Sequence, residues 1–131
     1  MGVRKSNLPK PTEAELAILR VLWQRGPSTV REVWERISEK QKSGYTTALK
    51  ILQIMADKGL VTRDDATRSH VYKAALSEEQ TQRQVLGHLL ERVFSGSTHK
   101  LVMQALASKK ASKQELSEIR KLLDEMEGES K

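Results

Sequence analysis

Apolar residues recur at a helical period in several stretches of the chain, and the stretch Tyr45 to Lys58 is the most informative of them. Its apolar positions follow the i, i+3, i+4, i+7 spacing of one helix face: Ala48, Ile51, Leu52 and Met55. This spacing predicts a helix with one buried stripe. Gly59 is expected to end the helix, because glycine readily adopts the left-handed conformation that commonly follows a helix C-terminus.

The opposite face of this predicted helix is polar and weakly cationic. At about 100° per residue it carries Thr46, Thr47, Lys50, Gln53 and Asp57. Short polar side chains let a helix approach base edges in the DNA major groove, where Thr meets a thymine methyl group and Lys or Gln reaches purine N7. The same pattern is also typical of an ordinary solvated helix, so the flanking segments have to decide between the two interpretations.

Two shorter helices are predicted before this one, each opened by a capping box. The boxes are Thr12-Glu-Ala-Glu15 and Thr29-Val-Arg-Glu32, and Gly26-Pro27 separates the two helices. The residues expected to face inward are Leu16, Leu19, Leu22, Trp23, Val30, Val33, Trp34 and Ile37. We interpret the two tryptophans as core residues that join these two helices.

The period changes after Gly59. Two runs of strand-forming residues, Leu60 to Arg63 and Ser69 to Lys73, flank a charged turn and predict a β-hairpin. Three short helices followed by a hairpin are the layout of a winged helix, a helix-turn-helix variant with a β wing. Cations on or beside the wing are candidate phosphate contacts or simply solvated side chains of an exposed hairpin: Arg63, Arg68, His70 and Lys73.

Helical periodicity returns from Ser77 to the end of the chain, with capping boxes at Ser77 and Ser112. A core of about 50 residues is usually marginal without disulfides or metal. The apolar stripes are therefore predicted to pack against a second copy in a homodimer, or alternatively onto residues 1–76. The predicted dimerisation residues are Leu86, Leu89, Leu90, Val93, Phe94, Leu101, Leu116, Ile119, Leu122 and Leu123.

The excess positive charge is confined to the first part of the chain. Residues 1–76 hold 14 Lys and Arg against 8 Asp and Glu, a net of +6, whereas residues 77–131 hold 9 against 9. A basic module beside a neutral one predicts that only the first binds a polyanion, most commonly nucleic acid. We therefore predict a winged-helix DNA-binding domain at residues 1–76, with a mobile basic tail at 1–10, and a helical dimerisation domain at 77–131.

Composition excludes several other classes of protein. The chain has no cysteine, which removes disulfides, thiolate zinc sites and a cysteine nucleophile. It has no run of about 20 apolar residues for a membrane span and no apolar run behind the basic first ten residues, so a cytoplasmic protein without membrane insertion is expected. The histidines His70, His88 and His99 lack metal-ligand spacing, and the glycines are scattered singly. We predict neither an enzyme nor a cofactor or metal site.

The predicted interface with double-stranded DNA has two parts. Base edges are assigned to the outer face of the third helix: Thr46, Thr47, Lys50 and Gln53. The phosphate backbone is assigned to helix starts and the wing: Ser28, Thr29, Tyr45, Arg68 and His70. The alternative from another class is a protein-interaction adaptor that presents the same helix to a protein.

Three segments resemble the penicillinase-repressor family of bacterial transcription factors, the BlaI/MecI type. They are Pro11 to Trp23, Thr29 to Val33, and Tyr45-Thr-Thr with its trailing Gly59-Leu-Val61. The resemblance runs from about Pro11 to about Met126 and implies a winged-helix domain followed by a helical dimerisation domain. It also implies repression of resistance-type genes through an inverted-repeat operator.

The resemblance further implies a route of release from DNA. In that family a membrane-bound sensor protease triggers cleavage of the repressor within the C-terminal domain, which weakens the dimer. The best-known members are cut at an Asn-Phe bond, and the corresponding stretch here, Leu101 to Leu106, has Gln104-Ala105 instead. A DNA-binding regulator that is never cleaved is therefore the alternative. The copper-responsive relatives use C-terminal Cys-x-Cys pairs, which this cysteine-free chain excludes.

Overall fold

The structure is a computed structural model, which describes residues 10–66 and 68–129. Its helices are α1 (Glu13–Arg25), α2 (Val30–Ser38), α3 (Tyr45–Lys58), α4 (Glu78–Arg92), α5 (Thr98–Ser108) and α6 (Lys113–Glu129), and its strands are β1 (Ser28–Thr29), β2 (Val61–Asp64) and β3 (Val71–Ala74). The predicted fold, mainly α with a small β-hairpin, is confirmed. Of the predicted basic tail at 1–10, all but Lys10 lies outside the described residues.

The three strands form one antiparallel sheet in the order β1-β3-β2. The predicted hairpin is its larger part, with Val61 paired to Ala74 at one end and Asp64 paired to Val71 at the other. The short strand β1 pairs with the outer side of β3, Ser28 opposite Tyr72. Sequence reasoning missed β1, because two residues are too few to show an alternating pattern.

One buried core joins α1, α2, α3 and the sheet. Its apolar members are Ile18, Leu19, Val21, Leu22, Val30, Val33, Ala48, Leu52, Met55, Leu60, Val61, Tyr72 and Leu76. The predicted stripe of α3 is confirmed at three positions, and Ile51 is only partly buried against the core. In α1 the buried face is centred differently from the prediction, since Ile18 and Val21 are buried whereas Leu16 and Trp23 are only partly so.

The indole N–H groups of both tryptophans have partners outside α1 and α2. The indole N–H of Trp23 donates to the carbonyl oxygen of Leu76 at 3.0 Å, and that of Trp34 donates to the carbonyl oxygen of Ser43 at 2.6 Å. Each ring therefore anchors a helix to a segment further along the chain. That the rings also join α1 to α2 stays a prediction, because periodicity places a ring on a helix face but does not identify its partner.

All four predicted capping boxes are confirmed. In each, a hydroxyl accepts from the backbone N–H three residues on, and that residue's carboxylate or amide oxygen accepts in return. The pairs are Thr12 with Glu15, Thr29 with Glu32, Ser77 with Gln80, and Ser112 with Glu115. Gly59 ends α3 in the left-handed conformation at φ 85°, as predicted.

The chain divides into two compact units, Met1–Gly87 and His88–Lys131, with the division inside α4. The first unit holds the whole apolar core, while the described residues of α5 and α6 include no buried residue. Helix α4 ends at Arg92, so Val93 and Phe94, predicted on its stripe, lie in the turn that follows. Among the described helices, none combines the length and apolar character that a membrane crossing requires.

Candidate nucleic-acid interface

The outer face of α3 brings the predicted base-reading residues together. Thr46, Thr47, Lys50 and Gln53 are all exposed, as is Asp57 near the end of the helix. The opposite side of α3 is fixed to the core, since Leu52 and Met55 have no accessible surface. A rigidly seated helix with an exposed polar face is the arrangement that a major-groove reader requires.

The start of α3 is held by aromatic contacts instead of a side-chain cap. Gly44 occupies the N-cap position, where no side chain accepts a hydrogen bond from the first turn. The Tyr45 ring stands at 80° to the Trp34 ring with 5.9 Å between centroids, and Trp34 also donates to the Ser43 carbonyl. The first-turn N–H groups of α3 are therefore not used by a side-chain cap, and such groups can donate to a phosphate oxygen.

The end of α3 is tied to the start of α1 by a buried ion pair. The Lys58 ammonium lies 2.9 Å from Glu15 Oε2, and the Glu15 side chain is only 4% exposed. Burial by itself raises the pKa of Glu15, but hydrogen bonds from the Thr12 backbone N–H and from Lys58 outweigh it and hold the pKa below its ordinary value. Sequence reasoning identified Glu15 as a capping residue but missed its partner 43 positions away.

Two basic side chains of the wing contact one carboxylate. Asp65 Oδ1 lies 2.7 Å from Arg63 Nε and 2.7 Å from His70 Nδ1. Hydrogen bonds to Tyr72 and then to Asp65 raise the pKa of Arg63. Arg68 is exposed at the tip of the same turn. Of the predicted wing contacts, His70 is thus paired with an acidic group.

A groove of about 520 Å³ runs between the second half of α3 and the wing. It is lined by Gln53, Ala56, Asp57, Arg63, Asp65 and Tyr72. The two carboxylates in this groove repel phosphate, and the single guanidinium is already paired with one of them. The electrostatics therefore favour an anionic partner along the first three turns of α3 instead of at its end.

Ser28 has to be removed from the candidate phosphate contacts. Its side chain has no accessible surface, and its hydroxyl donates to the carbonyl oxygen of Gly26, just before strand β1, at 2.8 Å. Thr29 beside it is half-buried, and its hydroxyl accepts from the Glu32 backbone N–H. The capping bond from Thr29 lowers the pKa of Glu32, which also pairs with Arg25. Local sequence could not reveal this burial, because it results from the pairing of Ser28 with Tyr72.

Ile54 was overlooked by the sequence analysis. It is 40% exposed, and of the large apolar side chains in described residues 10–76 only Ile54 and Tyr45 are exposed. The helical period places Ile54 between Thr47 and Lys50 around the axis of α3, on the outer face. The signal was therefore present in the spacing, but Ile54 was omitted from the polar face because it is apolar.

The predicted dimerisation residues are largely uncovered. Those exposed are Leu86, Leu89, Val93, Leu116, Leu122 and Leu123, and those half-buried are Leu90, Phe94, Leu101 and Ile119. Gln104 and Ala105, at the predicted cleavage position, are exposed in the middle of α5. The Gln104 carbonyl accepts a hydrogen bond from the Ser108 hydroxyl at 2.7 Å.

Three helices with a three-stranded antiparallel sheet define a winged helix in the first unit. Two solution structures share this fold: the DNA-binding domain of the repressor BlaI (TM-score 0.51), and Bacillus licheniformis BlaI in monomeric form with the blaP half-operator (TM-score 0.50). Each is 23% identical and aligns over 56% of this chain and 90% of its own. At that identity they show the fold alone.

The family follows from the sequence comparison. The chain belongs to the penicillinase repressor family, whose model matches residues 11–125. The penicillinase repressor of Bacillus licheniformis is 23% identical over 124 residues, 95% of this chain and 97% of its own length. The transcriptional regulator BlaI of Mycobacterium tuberculosis is 37% identical over 68 residues, 51% of this chain and 49% of its own. The predicted resemblance to this family of transcriptional repressors is confirmed.

Proposed function

We propose that this protein is a homodimeric repressor that binds an inverted-repeat operator in double-stranded DNA. Thr46, Thr47, Lys50 and Gln53 face the base edges. The observation that carries the proposal is that all four side chains are exposed together on one face of a helix whose other side is anchored in the core. A BlaI protein with the same fold has been solved in complex with a half-operator, which supports DNA binding by this domain.

The phosphate backbone is contacted at the start of α3 and on the wing. The first-turn N–H groups of α3 and the Tyr45 hydroxyl face one strand, since Gly44 provides no competing cap. Arg68 is the principal wing contact, because Asp65 already pairs with Arg63 and His70. Thr29, whose side chain is half-buried at the start of α2, makes a secondary phosphate contact.

Residues 77–131 act as the dimerisation domain. The described residues include twelve exposed large apolar side chains, and ten of them lie from Leu86 onward. Covering them with a second copy removes apolar surface from water and places two α3 helices on successive half-sites of a palindrome. Isolated half-site binding is weaker, because the second site gains from an effective concentration that only the dimer supplies.

Two routes of release are compatible with this arrangement. In the first, a membrane sensor protease leads to cleavage at Gln104-Ala105, which divides the dimerisation domain and derepresses resistance-type genes. Proteolytic nicking favours exposed, irregular segments. Both residues lie within α5, so cleavage there requires local unwinding. This observation favours the second route, in which the repressor dissociates from its operator without being cleaved. In either route the protein acts in the cytoplasm as a regulator, with no enzymatic activity and no cofactor.

Lys50→Ala tests the reading face. The probe is a duplex selected by the wild-type protein from a random-sequence library, with binding followed by fluorescence anisotropy at two salt concentrations. Loss of one base-reading side chain should weaken binding by about 5- to 150-fold and relax the sequence preference at one position. Arg68→Ala, by contrast, should weaken all sequences alike and reduce the salt slope by about 1.

Lys110→Ala is the matched control, since it removes the same charge from an exposed position in the second unit. It should leave both affinity and sequence preference unchanged. If Lys50→Ala and Lys110→Ala behave alike, α3 does not read bases. If the wild-type protein selects no duplex even in dilute buffer, the chain is not an operator-binding repressor.

A further inference from the structure

Ile54 is an apolar side chain on a face that is otherwise polar. It is 40% exposed on α3, and in the described residues 10–76 the only other large apolar side chain left in solvent is Tyr45. Tyr45 is accounted for, because its ring packs edge-on against Trp34. Ile54 has no such role in the core, since the buried stripe of α3 lies on the other side of the helix.

The position of Ile54 places it among the base-reading residues. At 100° per residue it projects about 40° around the helix axis from Lys50 and about 20° from Thr47. It lies one turn beyond Lys50 and is not among the residues that line the acidic groove of Asp57 and Asp65. A duplex that meets Thr47 and Lys50 must therefore also meet Ile54.

The chemistry of the major groove offers one apolar group to such a side chain. Each base pair presents hydrogen-bond donors and acceptors there, and only thymine adds a methyl group, at C5. A protein partner fits less well, because Ile54 is flanked by threonine, lysine and aspartate instead of forming a contiguous apolar patch. The thymine methyl group is thus the apolar group of the major groove that matches Ile54.

We propose that Ile54 is a specificity-determining residue that contacts the C5-methyl group of one thymine in each operator half-site. The contact excludes water from both methyl-bearing surfaces, so it discriminates thymine from cytosine without a hydrogen bond. This inference rests on the proposed operator binding and adds the identity of one base to it.

The test uses a series of duplexes. In each, the thymine at one position of both half-sites is replaced by deoxyuridine, which removes only the methyl group. For the wild-type protein one position should lose about 4-fold in affinity per half-site, the effect expected for one methyl group returned to water. For Ile54→Ala that penalty should disappear, and for Ile54→Val it should persist because a branched apolar side chain remains. Circular dichroism verifies that each variant keeps its helical content.

Thr47→Ser is the matched control, since it removes one methyl group from the same face while keeping the hydroxyl. The uridine penalty should persist in this variant; if it disappears there and remains in Ile54→Ala, Thr47 is the reader and the proposal is overturned. A wild-type protein that binds its duplex with no uridine penalty at any position also overturns it, and leaves operator binding intact. Failure to select any duplex overturns both proposals.

Discussion

The two units of this chain have similar apolar periodicity but differ in the fraction of their apolar side chains that is buried. In the first unit Leu52, Met55 and Val33 have no accessible surface. In the second, Leu122 and Leu123 are each about half exposed and Val93 is 65% exposed. Because apolar stripes stabilise a fold only when another surface covers them, the same pattern predicts a core in one unit and an interface in the other.

The difference follows from how many elements converge in each unit. The first unit packs three helices and a three-stranded sheet, so each apolar stripe meets surfaces from several directions. The second unit contains the end of α4 together with α5 and α6, and no residue of α5 or α6 is buried. A unit of about 40 residues seldom encloses a core without additional support, which the proposed second copy supplies.

The largest expected effect comes from truncating a covered leucine. Leu52→Ala should reduce the free energy of unfolding of the first unit by about 2–5 kcal/mol, because a cavity replaces a fully buried side chain. Both tryptophans lie in the first unit, so denaturant unfolding followed by tryptophan fluorescence reports on this unit.

Leu122→Ala is the matched leucine truncation in the second unit, where the side chain is 55% exposed. It should leave the denaturant midpoint of the tryptophan fluorescence transition, which reports on the first unit, unchanged. Equal losses from the two variants would mean that the units are not distinct in burial or in cooperativity, and the comparison would fail.

The next effect concerns the proposed interface directly. Leu122→Asp places a charge on the uncovered stripe of α6, which should dissociate the dimer at micromolar concentration and lower operator affinity by about 100-fold. Sedimentation velocity measures the first quantity and fluorescence anisotropy the second.

Gln114→Asp adds the same charge to α6 on the side away from this stripe, and the dimer should persist. A Leu122→Asp protein that sediments as a dimer would show that α6 is not part of the interface. A wild-type protein that sediments as a monomer at micromolar concentration would remove the dimer altogether.

A smaller effect is expected from the buried ion pair of the first unit. Glu15→Gln should cost about 1–3 kcal/mol, since Lys58 loses its charged partner while keeping some access to water. The pKa of Glu15 is lowered in the folded state, so its contribution is present above the ordinary carboxyl range, near the reference value of 4.5, and is lost as the pH falls through the folded-state pKa. Denaturant unfolding at pH 7 and at about pH 3 should show the difference between wild type and variant shrinking at the lower pH.

Glu32→Gln is the more accessible counterpart in the same unit, also a capping residue paired with a cation. Its effect at pH 7 should be no more than about 1 kcal/mol, because solvent screens the pair with Arg25. If the two substitutions cost the same, the burial of Glu15 does not strengthen its interaction with Lys58.

Much of the fold could be predicted because the signals are local. A capping box needs only two side chains three residues apart, and all four predicted boxes form. The outer face of α3 was predictable for the same reason, since the helical repeat alone determines that Thr46 and Lys50 project to one side. The glycine that ends α3 is likewise a property of one residue and its φ angle.

The interactions that could not be predicted join residues distant in the chain. Ser28 was assigned to phosphate, yet its pairing with Tyr72, 44 positions on, buries it completely. The bond from Trp23 to Leu76 spans 53 positions and the ion pair of Glu15 with Lys58 spans 43. Residue type specifies that an indole N–H or a buried carboxylate needs a partner, but many segments can supply one.

The sequence by itself determined the helical stretches, four of their N-terminal caps, the polar face of α3 and the charge difference between the two parts of the chain. The helices, caps and polar face depend on hydrogen bonds and side-chain spacings within one or two turns, and the charge difference depends on composition alone. Only the tertiary structure decided which faces are covered: Ser28 is withdrawn from the surface, Ile54 is left exposed beside Lys50, and the stripes of α5 and α6 remain open. Whether a residue is buried depends on the element that packs against it, and the periodicity of its own helix does not specify that element.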